Sequence, residues 1–191
     1  MNSLKDIIVD KLGLDDIYLK QIEQVVEVVK LRKKDYLIKA GNICSFIGFI
    51  EDGALRSYIF KENNEFNVDF YLPESFVSAY TSFLTQLPTN TNIQALSDST
   101  IYTISYSSYN DLLKTSVEWY RLSKLIADTL FIKKCKREKS LLMDSARDRY
   151  SLLLKTHPQI EQLVAQYHIA SYLGIKPESL SRIKSLTYIN K

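Results

Sequence analysis

The chain has 191 residues, 46% of them hydrophobic, which is enough to form one large domain or two small ones. We expect two domains. No stretch approaches the roughly 18 apolar residues that cross a bilayer, and the N-terminus lacks the apolar segment of a signal peptide. A cytoplasmic protein without a membrane partner is therefore expected. With only two cysteines, Cys44 and Cys135, one chain can form neither a disulfide framework nor a four-thiolate cluster.

Charge is distributed unevenly along the chain. Residues 1–120 hold 11 basic and 16 acidic side chains, a net charge of −5, whereas residues 121–191 hold 14 and 6, a net charge of +8. A basic module carried by an acidic one favours a polyanionic partner such as nucleic acid.

The first thirty residues predict two short helices interrupted near Gly13, because their apolar residues recur at helical spacing. From Asp35 the pattern changes to short runs typical of strands. The predicted strands are Tyr36–Ile38, Phe46–Ile50, Leu55–Phe60, Phe66–Tyr71, Thr91–Leu96 and Ile101–Ile104. Asp52-Gly53 predicts a tight hairpin and Glu62-Asn63-Asn64 a second reversal. Together they indicate an antiparallel barrel or sandwich of the jelly-roll kind.

Residues 108–156 are predicted to be mostly helical, since no proline occurs between Pro88 and Pro158. An apolar stripe on a Lys- and Arg-rich helix predicts packing against its own domain and against a partner subunit. The stripe consists of Leu122, Leu125, Ile126, Leu130 and Ile132. A core helix within one chain is the alternative. A further helix is predicted from Arg147 to Leu154.

The most specific pattern is the run QYHIASYLGIKPESLSRIK, residues 166–184. One helix face carries Ile169, Ala170 and Leu173, and a second helix carries Leu180 and Ile183. Gly174 between them can adopt the left-handed conformation that ends a helix, and Pro177 suits the first turn of the next. This spacing predicts a helix-turn-helix whose second helix enters the DNA major groove.

The predicted exposed residues of the second helix have the chemistry for DNA contact. They are Lys176, Glu178, Ser179, Ser181, Arg182 and Lys184. Arg182 can donate two hydrogen bonds to guanine, Glu178 can accept one from cytosine, and the serines can reach bases or phosphates. Lys176 and Lys184 are assigned to phosphates, with Arg147 and Arg149 as further candidates. The alternative is a solvated helical hairpin without a DNA partner.

The layout resembles the Crp/Fnr family of regulators, most sharply at Arg149–Leu154 and Ile169–Ile183, and in particular the Crp/Fnr-type regulators of Bacteroidetes. The resemblance covers essentially the whole chain. It implies an α+β protein with a cyclic-nucleotide-binding-like β-roll over residues 1–113. A long dimerisation helix over 114–138 and a winged helix-turn-helix over 139–191 follow. In the family, the residues matching Glu178 and Arg182 are the base-reading pair.

The sequence differs from the family pattern at the effector pocket. Members that bind cyclic AMP use a Phe-Gly-Glu segment and a Pro-Arg pair, but here Thr89 follows Pro88. Without that arginine a cyclic phosphate would lose a contact worth roughly 1.5–3 kcal/mol. We therefore expect the pocket to hold another small molecule or nothing. Its candidate residues are Glu74, Phe76, Val77, Ser78, Thr89 and Asn90.

No cofactor or metal is expected. An iron–sulfur cluster needs four thiolates, and haem would need a histidine in the β-roll. The two histidines, His157 and His168, lie in the basic part, where both are expected to be surface or cap residues.

These observations favour a homodimeric transcription regulator. Its candidate partners are double-stranded DNA, a second copy of the chain, RNA polymerase and an unidentified small-molecule effector. The alternative is a ligand-binding or interaction module that has lost DNA binding, because the sequence continues only to Lys191 and leaves little room for a wing. An enzyme is not expected, since no nucleophile and base occur at motif spacing and no Gly-rich phosphate loop is present.

Overall fold

A computed structural model describes residues 2–189 of the chain, with side chains for residues 4–185. Within this range the chain forms an N-terminal unit of helices and strands, a long helix, and a C-terminal helical unit. The strands are β1 (Val26–Leu31), β2 (Tyr36–Ile38), β3 (Phe46–Asp52), β4 (Leu55–Lys61), β5 (Asn64–Tyr71), β6 (Phe76–Val77), β7 (Thr91–Ala95) and β8 (Ser99–Ser105). The helices are α1 (Asn2–Lys5), α2 (Asp16–Val25), α3 (Tyr80–Thr85), α4 (Tyr106–Thr115), α5 (Trp119–Met143), α6 (Ala146–Thr156), α7 (Ile160–Leu163), α8 (Gln166–Leu173) and α9 (Pro177–Ile189).

The strands form two four-stranded antiparallel sheets. The first sheet has the order β1-β8-β3-β6 and the second β2-β7-β4-β5. Buried side chains of both sheets, such as Ile50, Ile101 and Ile93, share one core with the N-terminal helices and the first half of α5. The predicted antiparallel roll is confirmed. Each of the six predicted strands is present, with bounds that differ by at most two residues.

The N-terminal segment differs from its prediction. α1 continues into a π-helical turn over Asp6–Lys11, and α2 follows. The helical prediction was wrong for residues 26–30, which belong to β1 and pair with β8. Its three valines are β-branched residues that suit a pleated strand. The short strand β6 was not predicted.

Two turns illustrate different uses of positive φ. The Glu62-Asn63 loop, with φ of 52° and 62°, closes the β4–β5 hairpin as predicted. Gly53 also has a positive φ of 90°, but the strands it connects, β3 and β4, belong to different sheets. The predicted hairpin at Asp52-Gly53 was therefore wrong. A Cβ on Gly53 would lie 2.5 Å from the carbonyl oxygen of Asp98, so close backbone packing also requires glycine here.

The long helix α5 has 25 residues and a length of about 37 Å. Leu122 and Ile126 are buried in the N-terminal core, and Leu125 and Leu130 pack against it. Ile132 is exposed. The predicted stripe therefore serves mainly as core within the chain. The helix starts and ends five residues later than the predicted range 114–138. In the part of the chain that the structure describes, no helix is long and apolar enough to cross a membrane.

The C-terminal unit has its own core, built from α6 to α9. The buried residues are Tyr150, Leu153, Ile160, Val164, Ile169, Ala170, Leu173 and Leu180, joined by Phe70 of β5. Ser145 caps α6 by accepting a hydrogen bond from the Asp148 amide, 3.2 Å away. Between Tyr106 and Ile189 the described chain contains no strand, so the predicted wing has no strand there. Asn190 and Lys191 lie outside the described residues.

Candidate nucleic-acid interface

The turn between α8 and α9 is built on Gly174. Gly174 adopts the left-handed conformation with φ of 70°, and the Ile175 amide donates to the Ala170 carbonyl over 3.0 Å. This closes the C-terminal end of α8, where carbonyls would otherwise lack partners. Pro177 is the first residue of α9, where its missing N–H costs no helical hydrogen bond. The two helices, here called the α8–α9 pair, follow the sequence prediction closely.

The core of the α8–α9 pair consists of the predicted residues. Ile169 and Ala170 are fully buried, Leu173 and Leu180 are each 1% exposed, and Ile183 packs against them. Ala170 allows the close approach of the two helices because its side chain is small. The polar residues of α9 are consequently directed away from this core.

Five of the six predicted DNA-contacting residues are exposed. They are Lys176, Glu178, Ser179, Ser181 and Arg182. Lys184 is different, because its side chain is only 17% exposed and its Nζ lies 2.6 Å from the Glu161 Oε1. The expected exposure of Lys184 was wrong, since α7 brings a carboxylate against it.

The two arginines proposed as further phosphate contacts have separate environments. Arg147 is exposed. Arg149 donates to the Leu173 carbonyl over 3.1 Å and to the Asp144 carbonyl over 2.6 Å. Arg149 therefore ties α6 to the C-terminal end of α8, where a positive charge also complements the helix dipole.

The α8–α9 pair is docked onto β5, the edge strand of the second sheet. The Asn67 amide donates to the Ser171 hydroxyl over 2.9 Å, and that hydroxyl donates to the Glu65 carbonyl over 3.1 Å. The rings of Phe70 and Tyr172 lie beside this contact with centroids 5.0 Å apart. α8 thus satisfies backbone groups that an edge strand would leave exposed.

Helix α5 completes the cover of the β5 edge with two basic side chains. Lys133 donates to the Phe70 carbonyl over 3.0 Å and pairs with Asp69 at 2.8 Å. Arg137 donates to the Tyr172 carbonyl over 2.7 Å, with a longer contact of 3.4 Å to the Asn67 carbonyl. Its guanidinium also lies over the Tyr172 ring, 3.7 Å from the centroid. One helix therefore holds both the strand edge and α8.

A buried polar cluster lies beneath this contact. Arg56 and His168 are 4% and 5% exposed, and the Arg56 guanidinium lies 3.0 Å from His168 Nδ1. Arg56 also donates to Glu65 over 2.5 Å and to Gln94 over 2.8 Å. Since arginine can only donate, Nδ1 accepts, and His168 is the neutral tautomer with its proton on Nε2.

Burial, and then the neighbouring Arg56 charge, lower the pKa of His168 to about 4. The expectation that His168 is a surface or cap residue was wrong, whereas His157 is the C-terminal cap residue of α6. Sequence reasoning missed Arg56, Asn67 and His168 as a group. The signal that was available is Arg56 among the hydrophobic and small residues of β4 from Leu55 to Phe60.

The candidate effector-pocket residues do not converge on one cavity. Val77 and Ser78 are buried in the core, whereas Glu74 and Asn90 are exposed. Phe76 lines an apolar cavity of about 30 Å³, enough for a water molecule or two. The Ser78 hydroxyl donates to the Phe46 carbonyl, and the Thr89 amide donates to the Asn42 carbonyl.

The segment around α3 is held by its own side chains. The Cys44 amide donates to the Ser82 hydroxyl over 2.9 Å, and the Gln86 amide group donates to the Phe83 carbonyl over 2.7 Å. These hydrogen bonds use polar groups close to the predicted pocket for contacts within the chain.

The N-terminal unit can be compared with a known family at this point. Residues 28–116 match the family model of the cyclic nucleotide-binding domain. The matched residues include most of β1, all of β2 to β8, and α4. Comparison with curated proteins gives no significant match.

Solved structures share the fold beyond this domain. FixK2 from Bradyrhizobium japonicum has a TM-score of 0.73 at 18% identity, covering 87% of this chain and 86% of its own. The regulator CLP of Xanthomonas campestris has a TM-score of 0.69 at 14% identity, with 92% and 93% coverage. A Crp/Fnr-family regulator from Eubacterium rectale has a TM-score of 0.69 at 16% identity, with 93% and 85% coverage. At these identities the likeness establishes the fold.

Replacing Gly174→Ala should destabilise the chain by about 1 kcal/mol, because only glycine adopts this φ without strain. The nearest atom to the new Cβ would be Leu141 Cδ2 at 3.8 Å, so no clash adds to the cost. Urea unfolding measures the loss. Gly174→Asn is the control and should cost less, since asparagine tolerates the left-handed region. Equal stability of the alanine variant and the parent would contradict the assigned turn.

The His168 environment predicts loss of stability in acid. Because the folded pKa of about 4 lies below the ordinary value of 6.5, the unfolded chain binds more protons between these limits. His168 should therefore reduce the free energy of unfolding by up to about 1.4 kcal/mol per pH unit as pH falls from 6.5 to 4. In His168→Gln, whose amide oxygen can accept from Arg56 but does not titrate, thermal melts should show a smaller loss. Identical pH dependence in both proteins would refute this assignment.

Proposed function

We propose that the protein is a transcription regulator of the Crp/Fnr type that binds double-stranded DNA as a homodimer. The observation that carries this proposal is the exposed polar face of α9. That face lies on a helix pair with a well-packed core, in the part of the chain with a net charge of +8. In this proposal the α8–α9 pair is a helix-turn-helix, and α9 is the helix that enters the major groove.

The arrangement of α9 suits base recognition. Glu178 and Arg182 are four residues apart, so they lie on the same helix face, and both are exposed. Arg182 would donate two hydrogen bonds to a guanine, and Glu178 would accept from a cytosine amino group. Ser179 and Ser181 add hydroxyls for bases or phosphates, and Lys176 adds a charge for the backbone. Lys184 would reach a phosphate only after leaving Glu161.

The comparisons support this proposal through the shared fold. The Eubacterium rectale protein is a Crp/Fnr-family regulator, and the Xanthomonas protein is described as a c-di-GMP-responsive global regulator. For this chain we propose an effector other than cyclic AMP, since Thr89 replaces the family arginine. RNA polymerase remains part of the proposal as a further partner of the DNA-bound dimer.

Helix α5 offers a surface for a second copy of the chain. Residues spaced alternately four and three apart form a seam along its outer side, as in a coiled coil. The seam consists of Lys124, Asp128, Phe131, Cys135, Glu138 and Leu142. Phe131 is 68% exposed and Leu142 80% exposed, which is unfavourable unless another apolar surface covers them. Leu122 and Ile126 face the opposite way, into the core.

One observation favours the alternative function, an interaction module that has lost DNA binding. Two residues considered for phosphate contact also make contacts within the chain, which restrain their side chains. Lys184 pairs with Glu161, and Arg149 binds the carbonyls of Leu173 and Asp144. The alternative predicts no sequence-specific DNA binding at any salt concentration.

The DNA proposal is tested by selecting bound fragments from genomic DNA with the purified protein and then measuring affinities for the selected site. Arg182→Ala should weaken specific binding by about 1–3 kcal/mol and relax the base preference at one position of each half-site. Lys155→Ala removes one exposed positive charge from α6 and is the matched control. It should leave the base preference unchanged.

Recovery of no enriched sequence, at low salt and with a panel of nucleotides that includes cyclic AMP and c-di-GMP, would support the alternative module. An unchanged base preference in Arg182→Ala would remove Arg182 from the base-reading pair.

The dimer proposal is tested through the seam. Phe131→Glu should shift the protein to monomer in sedimentation experiments, because a buried unpaired carboxylate opposes association. Thr129→Glu is the control, since a residue two positions away lies about 200° around the helix. Mild oxidation should also join two chains through the exposed Cys135, and Cys135→Ser should abolish the product. A parent protein that stays monomeric at micromolar concentration would exclude this dimer.

A further inference from the structure

A cleft between α5, α6 and α8 has no role in the function proposed above. Its volume is about 230 Å³. The lining residues are Lys133, Lys136, Arg137, Ser140, Arg149, Leu152, Leu153, Thr156, His157, Tyr172 and Leu173. Four of them are cations and none is a carboxylate. Such a composition in a concave site concentrates positive potential.

Acidic groups next to the cleft compensate only part of this charge. Asp69 pairs with Lys133 at 2.8 Å, and Asp144 accepts a hydrogen bond from the Ser140 hydroxyl over 2.5 Å. Arg137 and Arg149 donate to backbone carbonyls, which are dipoles without a net charge. Within the described residues neither guanidinium has a carboxylate partner, and each retains N–H groups beyond those that bind carbonyls.

Three further features of the lining suit an anionic ligand. Lys136 is exposed and lines the cleft. His157 lies at the rim, and burial together with the nearby Lys133 lowers its pKa, as expected beside a positive region. Hydroxyls of Ser140 and Thr156 line the same cleft, so neutral hydrogen-bonding groups accompany the cations.

We propose that this cleft binds a small phosphorylated metabolite, with Lys136, Arg137 and Arg149 around the phosphate. Arginine donors match phosphate oxygens in geometry as well as charge. Tyr172 and Leu152 supply an apolar wall for the remainder of the molecule. The volume is below the roughly 300–1,000 Å³ of pockets for drug-sized ligands, so a compact phosphate compound fits better than a dinucleotide.

A ligand bound in this cleft would affect how α8 is held. Arg137 donates to the Tyr172 carbonyl in α8 and contacts the Asn67 carbonyl in β5. A phosphate that recruits Arg137 would compete with these carbonyls and change how firmly α8 is held to the β5 edge. The DNA backbone is another source of phosphate, but a concave site between three helices favours a small molecule.

The test is calorimetric titration of the full chain with inorganic pyrophosphate and inorganic phosphate, in the absence of DNA. The proposal predicts saturable binding of one pyrophosphate per chain. Lys136→Glu should weaken it about tenfold or more, because an attractive contact is replaced by a repulsive one. Lys134→Glu carries the same charge change about 200° around α5, outside the cleft lining, and should alter the affinity less than about twofold.

Three outcomes would overturn the proposal. In the titration they are no saturable binding of either anion and equal losses in the two variants. The third needs a separate DNA-binding measurement, in which Lys136→Glu changes the affinity for DNA while its pyrophosphate binding equals that of the parent. The last would assign the cleft to the DNA backbone. The titration contains no DNA, so it tests the cleft even if the protein does not bind DNA. Likewise, a titration without binding would not contradict the proposed DNA contacts of α9.

Discussion

The edge of β5, which has no neighbouring strand on its outer side, is the constraint on which the arrangement of the rest of the structure depends. An edge strand presents unpaired amides and carbonyls, and leaving these unsatisfied within a contact costs free energy. Here the Ser171 hydroxyl of α8 accepts a hydrogen bond from the Asn67 amide and donates one to the Glu65 carbonyl. Lys133 of α5 donates a hydrogen bond to the Phe70 carbonyl. The strand is thereby protected from pairing with another chain, and the C-terminal unit acquires a fixed position on the roll.

The same contact joins two hydrophobic cores. Phe70 belongs to β5, yet it is buried among residues of α6 to α9, and its ring lies beside that of Tyr172 at a tilted angle. Below it, Arg56 is held by Glu65, Gln94 and His168, so a buried charge has hydrogen-bonding partners from both units. Removing one partner of a buried charge is costly, so this cluster favours a single docked arrangement over a range of loose ones.

Helix α5 has two sides with separate tasks, and the inward side changes its neighbour along the helix. Its first half buries Leu122 and Ile126 in the roll, and its second half contacts β5 and α8 through Lys133 and Arg137. The opposite side carries Phe131, which remains exposed in one chain. The helix is weakly amphipathic overall because its inward side is apolar in the first half and cationic in the second, while its outward side includes apolar Phe131.

Local patterns in the sequence determined most of the individual elements. Alternation located six strands, and Gly174 with Pro177 located the turn of the α8–α9 pair, because these features depend on neighbouring residues and on backbone sterics alone. Local patterns also identified Ile169, Ala170, Leu173 and Leu180 as core, since helical spacing fixes which residues share a face. The tertiary structure decided what each face meets. Asp52-Gly53 joins two sheets instead of a hairpin, Lys184 meets Glu161, and His168 meets Arg56, which is 112 residues away along the chain. Such contacts depend on how distant segments pack, and no short-range spacing encodes them.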